Sequence, residues 1–90
     1  YKKGALKDYG PINNWDTSLI TNITSLFNEK KYFNDDISNW NVSNVETMSN
    51  MFDGAISFNQ PLNNWDVSNV VDMYSMFNNA RSFFASKISC

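Results

Sequence analysis

SNVETMSNMFDGA, residues 43–55, sets apolar side chains at Val45, Met48, Phe52 and Ala55, with Met51 beside them. That spacing places one stripe on the inner face of a helix. Ser43 precedes the stripe and Glu46 follows three residues later, the capping-box arrangement that satisfies helix N-terminal amides. Gly54 supplies a stop, because glycine accepts the left-handed geometry at a helix C-terminus. Upstream, Trp40, Asn41 and Val42 alternate apolar, polar, apolar, which predicts a very short strand. Downstream, NQPLNN at 59–64 returns the chain by turns. The unit therefore reads as strand, helix and return loop.

The unit is written three times. Trp15, Trp40 and Trp65 are spaced by twenty-five residues. The same interval links Ile23, Met48 and Met73; Leu26, Met51 and Met76; Phe27, Phe52 and Phe77; and Phe33, Phe58 and Phe83. Polar columns repeat as well, notably Asn14, Asn39 and Asn64, and Ser18, Ser43 and Ser68. Self-similarity at such a period marks a repeat architecture. It predicts one domain over 1–90, with coils at about 12–36, 37–61 and 62–86. Residues 1–11 are expected to form an N-terminal cap or partial coil, and 84–90 a broken repeat. The expected core is Trp15, Trp40, Trp65, Met48, Met73, Phe52, Phe77 and Phe58, with the three Trp stacked on one another.

Parallel strands joined by such crossovers are right-handed. Strands stack about 4.8 Å apart, while packed helices need roughly 8–10 Å, so the helical side must splay and the strand side become concave. The predicted fold is α/β, a short right-handed leucine-rich-repeat-like solenoid of about three coils. WDVSNVVDMYSMF (65–77) and FNQPLNNWDVSNV (58–70) resemble the bacterial surface-protein repeat of about 26 residues, a leucine-rich-repeat relative found in mycoplasma-type lipoproteins. The resemblance covers residues 9–83. It implies a non-catalytic surface or adhesion module at the cell surface or outside the cell; the alternative is a peripheral subunit of an organelle or membrane-associated complex. Two features depart from the pattern. The first copy has Thr17 where the others have Val42 and Val67, and Glu29-Lys30-Lys31 where the second has Gly54-Ala55; the third copy breaks down after Phe83.

Composition narrows the chemistry. Seven Lys or Arg against nine Asp or Glu give a net charge of −2, which does not attract phosphate and argues against a nucleic-acid partner. No apolar run exceeds three residues, so no transmembrane segment is expected. A chain starting at Tyr1 suggests a processed product or a fragment. A lone cysteine, Cys90, cannot form an internal disulfide. Without histidine there is no imidazole base for Cys90 or a serine, and the three glycines form no phosphate loop. We expect no enzyme and no cofactor.

Several columns have a structural and a functional reading. The Asn columns fit an amide ladder bonding turns of neighbouring coils better than a sugar-binding face. Asp16, Asn41 and Asp66 interrupt a carboxylate column with an amide, which suits a solvated face better than a Ca²⁺ site. Met48, Met51, Met73 and Met76 share columns with Ile23 and Leu26, so they are core and not metal ligands. Asn22-Ile-Thr24 and Asn41-Val-Ser43 match the glycosylation sequon, as an Asn- and Ser-rich repeat produces of itself.

The third copy breaks the polar pattern. Thr21 and Glu46 become Val71; Thr24 and Ser49 become Tyr74; Asn34 and Asn59 become Phe84. Val71 and Tyr74, three apart, would be neighbours on a helix, and clustered apolar surface marks a contact. The expected function is a non-enzymatic protein-interaction or adhesion module using Val71, Tyr74 and Phe84. The alternative is a structural or accessory subunit docked in a larger assembly. A next coil continuing the stack would cover the same residues.

Overall fold

The computed structural model of the chain describes residues 11–84 and residue 88. The expected N-terminal cap, most of the broken repeat and Cys90 lie outside these residues.

The predicted strand and helix are both absent among the described residues. The one helical element is a single 3₁₀ turn, Ile12–Asn14. Pairing of strand type is confined to two isolated parallel bridges, Asn22 to Thr47 and Thr47 to Asp72. The leucine-rich-repeat-like α/β solenoid is therefore not the fold of this chain.

A run of β-turns stands where the helix was predicted. Met51 N–H donates to Met48 (3.1 Å), Asp53 N–H to Asn50 (3.2 Å) and Ala55 N–H to Phe52 (3.0 Å), each reaching back three residues and not four. The intervening amides leave the segment. Met48, Asn50, Phe52 and Gly54 donate to the carbonyls of Asp72, Tyr74, Met76 and Asn78 in the third copy, at 2.8–2.9 Å. The first copy behaves identically: Ile23, Ser25, Phe27 and Glu29 donate to Thr47, Ser49, Met51 and Asp53 at 2.7–3.1 Å.

Backbone torsions explain the change. Asn50 (φ 58°) and Gly54 (φ 78°) are left-handed, as are Ser25 and Glu29, and Ser75 and Asn79, at the equivalent places. A left-handed residue every fourth position interrupts an α-helix and turns alternate N–H groups outward. Glycine and asparagine adopt this conformation at little cost, so Gly54 is one of a series of turn residues and not a helix stop. Isolated helices this short are marginal, whereas the turn ladder gains a bond to each neighbouring copy.

The copies consequently keep one spacing. Phe27, Phe52 and Phe77 stack at 5.7 and 5.5 Å between centroids, and Phe33, Phe58 and Phe83 at 5.6 and 5.7 Å. All four spacings fall short of the roughly 8–10 Å between packed helices, so the predicted splay has no cause. The two columns also pair within each copy, at 3.8, 4.2 and 4.3 Å. Stacked rings at such distances add to their burial energy.

Phenylalanine, not tryptophan, thus forms the aromatic stack. The ring of Trp40 lies tilted, 6.0 Å from Phe27. Its indole N–H donates to the Ile12 carbonyl (2.8 Å), and that of Trp65 to Ile37 (3.0 Å), so each ties its own copy to the preceding one. Met48, Phe52 and Phe58 are fully buried, Trp40 and Trp65 nearly so, and Trp15, Met73 and Phe77 are partly buried at the ends.

Candidate interaction surface

Asx-type turns position the polar surface. Oδ1 of Asn41 accepts both the N–H (3.0 Å) and the hydroxyl (2.6 Å) of Ser43, so Ser43 closes a turn instead of capping a helix. Asp16 holds Ser18 and Asp66 holds Ser68 in the same way. The column is thus turn chemistry in which Asn replaces Asp without loss of the acceptor. These bonds favour the ionised form, and the Ser18 and Ser68 hydroxyls hold the carboxyls of Asp16 and Asp66 below their ordinary value; Ser38 does so for Asp36. Among the described residues, no three His, Cys, Asp or Glu side chains gather as a metal site would require.

An amide ladder exists, but in different columns from Asn14, Asn39 and Asn64. Asn44 Nδ2 donates to the Ser18 carbonyl and Asn69 Nδ2 to that of Ser43, both at 2.7 Å. Asn34 Oδ1 accepts the N–H of Asn59 (2.8 Å) and Nε2 of Gln60 (3.2 Å).

Val71, Tyr74 and Phe84 are 87, 75 and 62 % exposed. With the helix gone, Val71 and Tyr74 are not neighbours on a helical face; both sit on the last rung of the turn ladder. Val71 N–H donates to the Glu46 carbonyl (2.8 Å), Tyr74 N–H to Asp72 Oδ1 (3.0 Å), and the Tyr74 carbonyl accepts from Asn50 (2.8 Å). Phe84 follows Phe83, which stacks on Phe77 in that same copy. It occupies the column of Asn34 and Asn59, and here the pattern fails: Asn59 Oδ1 is buried with no hydrogen-bond donor among the described residues. An open groove of about 550 Å³ runs from Leu19 and Thr21 past Asn44 and Glu46 to Asn69 and Val71. Leu19 and Tyr32 are also exposed and were missed by the sequence reading. Their columns carry the signal, since Leu19 aligns with Asn44 and Asn69, and Tyr32 with Ser57 and Ser82.

The ladder itself has polarity. Eight cross-copy bonds run from N–H of the earlier copy to C=O of the later, and two, Glu46 to Thr21 and Val71 to Glu46, run back. Most of the crossing peptide dipoles therefore point the same way, as they do along a helix.

The residues matched by the family model described as "Mycoplasma protein of unknown function, DUF285" are 2–89. The chain belongs to this family. No curated protein and no solved structure matches it. Membership agrees with the mycoplasma-type repeat that the sequence resembles, and the leucine-rich-repeat relationship gains nothing from it. Among the described residues, no helix is long and apolar enough to cross a membrane.

Proposed function

We propose that this DUF285 chain is a non-enzymatic protein-interaction module, working at the cell surface, whose contact face is the outer edge of the third copy. The observation that carries this reading is the exposure of Val71, Tyr74 and Phe84 at positions that are polar in the other copies. Large side chains held open to water on a fixed backbone favour burial against a partner. The surface location follows from the resemblance of residues 9–83 to the mycoplasma-type surface repeat.

A photo-crosslinking residue at position 84 in the native cell tests the reading. Protein adducts should form, and Val71→Glu with Tyr74→Ser should abolish them while the fold is retained. Adducts that persist in that double variant, or the absence of any protein adduct, would remove the surface from consideration. Permanent docking as a structural subunit is the second reading, favoured by the N–H groups of Met73, Ser75, Phe77 and Asn79 along the same edge, which have no partner among the described residues. It predicts that adducts form on every copy of the chain at steady state, with no free pool.

A further inference from the structure

The two ends of the ladder are chemical complements. At the third copy, the N–H groups of Met73, Ser75, Phe77 and Asn79 have no partner among the described residues, nor has the carbonyl of Val71. At the first copy, the carbonyls of Asn22, Thr24, Leu26 and Asn28 are without donors there, as is the N–H of Thr21. Four donors and one acceptor face outward at one end, four acceptors and one donor at the other. Inside the molecule, Ile23 pairs with Thr47 and Met48 with Asp72, each donor meeting the carbonyl twenty-four residues on. Continuing that rule past the third copy sets Met73 on Asn22, Ser75 on Thr24, Phe77 on Leu26 and Asn79 on Asn28 of another molecule, with Thr21 returning its N–H to Val71.

We infer that the partner of this edge is a second copy of the chain, joined head to tail through these backbone groups. The inference rests on the interaction reading above and names its occupant. Side chains at the two ends agree with it. Ile20 and Leu26 are each 39 % exposed at the acceptor edge, where Val45 and Met51 of the middle copy are covered. Ile23 and Phe27 are already buried at that edge, so Ile20 and Leu26 carry the apolar contact there. At the donor edge Val70, Met73 and Phe77 are only partly buried. Docking places Val71 beside Thr21 and Tyr74 beside Thr24, withdrawing both apolar side chains from water. A symmetric dimer through two third-copy edges is disfavoured, because it sets donors against donors. Unpaired edges of this kind are templates for another chain, and a head-to-tail contact that does not close continues into longer assemblies.

Sedimentation of the whole chain over a range of concentrations tests this. The wild type should show a mass that rises with concentration. A donor-edge variant, Val71→Asp with Tyr74→Asp, and an acceptor-edge variant, Thr21→Asp with Thr24→Asp, should each remain monomeric. Mixed together they should form a species of twice the monomer mass and nothing larger, because one intact junction survives between them. If a double variant loses its unfolding transition, the single changes Tyr74→Asp and Thr21→Asp replace it. Wild type that stays monomeric at every concentration overturns the inference, as does a mixture that stays monomeric when the wild type associates. Should crosslinking at position 84 still capture a different protein, the interaction reading survives without self-pairing; if it captures none, both fall.

Discussion

Truncating Phe52 to alanine measures the aromatic stack directly. Phe52 has no exposed surface, and its ring lies 5.7 Å from Phe27, 5.5 Å from Phe77 and 4.2 Å from Phe58. Removing a buried phenylalanine costs about 3–5 kcal/mol, the upper end applying where ring pairs worth roughly 0.5–1.5 kcal/mol each are lost as well. A chain of this length is stabilised by about 4–14 kcal/mol in all, so Phe52→Ala should leave a barely folded protein. Phe77 is the control, because it has the same ring in the same column but lies partly open at the third-copy edge. Its truncation should cost about half as much, roughly 2 kcal/mol. Urea unfolding followed by tryptophan fluorescence, at dilutions where the chain is monomeric, gives both values. A cost for Phe77→Ala equal to or above that for Phe52→Ala would refute the stack as the centre of the core.

The folded carboxyls of Asp16, Asp36 and Asp66 sit below the ordinary value of 3.8, so their contribution is present above that value and lost as pH falls through the lower, folded values. Asp66→Asn, which copies Asn41, should preserve stability at neutral pH and flatten the acid limb of a urea-midpoint titration; an unchanged limb would count against it. Gly54→Ala places a Cβ 2.8 Å from the Glu29 carboxylate at a φ of +78°, and should cost about 1–2 kcal/mol in chemical denaturation. Part of that loss should return when Glu29→Ala clears the space. Trp65→Phe deletes the buried bond to the Ile37 carbonyl, and a loss of about 1–3 kcal/mol is expected from thermal unfolding.

The repeat interval and most of the buried positions were legible in the sequence, because both depend on which residues are apolar and how often they recur. The backbone conformation was not. Val45, Met48, Phe52 and Ala55 face inward every three or four residues, and a helix and a run of turns both satisfy that pattern. What separates them is the left-handed pair at 50 and 54. Its columns hold Ser25, Asn50 and Ser75, then Glu29, Gly54 and Asn79. Only Gly54 and the asparagines signal such geometry, and a single glycine after a helical stripe also suits a helix end. Glu29 carries no such signal; in the structure its N–H is bonded to the Asp53 carbonyl of the next copy. The tryptophan stack failed for another reason. A column of identical residues shows equivalence, not contact, and the indole N–H sought a carbonyl in the preceding copy. At the surface, comparing columns identifies Val71, Tyr74 and Phe84 as odd residues, but the direction of the peptide groups around them has no trace in side-chain identity.

That direction changes what a partner must provide. A helical layer satisfies most of its amides internally, and its ends would offer only side chains, so Val71 and Tyr74 alone would define the contact and any apolar surface would fill it. Here alternate peptide groups over 46–54 are spent on the neighbouring copies, and the first and third copies each leave one such row without partners among the described residues. The incompleteness is also directional, because the crossing N–H groups mostly face the later copy. A partner of the third-copy edge therefore has to bring carbonyls spaced two residues apart, together with one donor opposite Val71. An arbitrary apolar patch lacks these groups, and a β-strand edge alternates donors with acceptors and meets only part of the row. The same turn geometry supplies the match, so under the proposed self-pairing the left-handed residues at 25 and 29 and at 75 and 79 would serve recognition as well as fold.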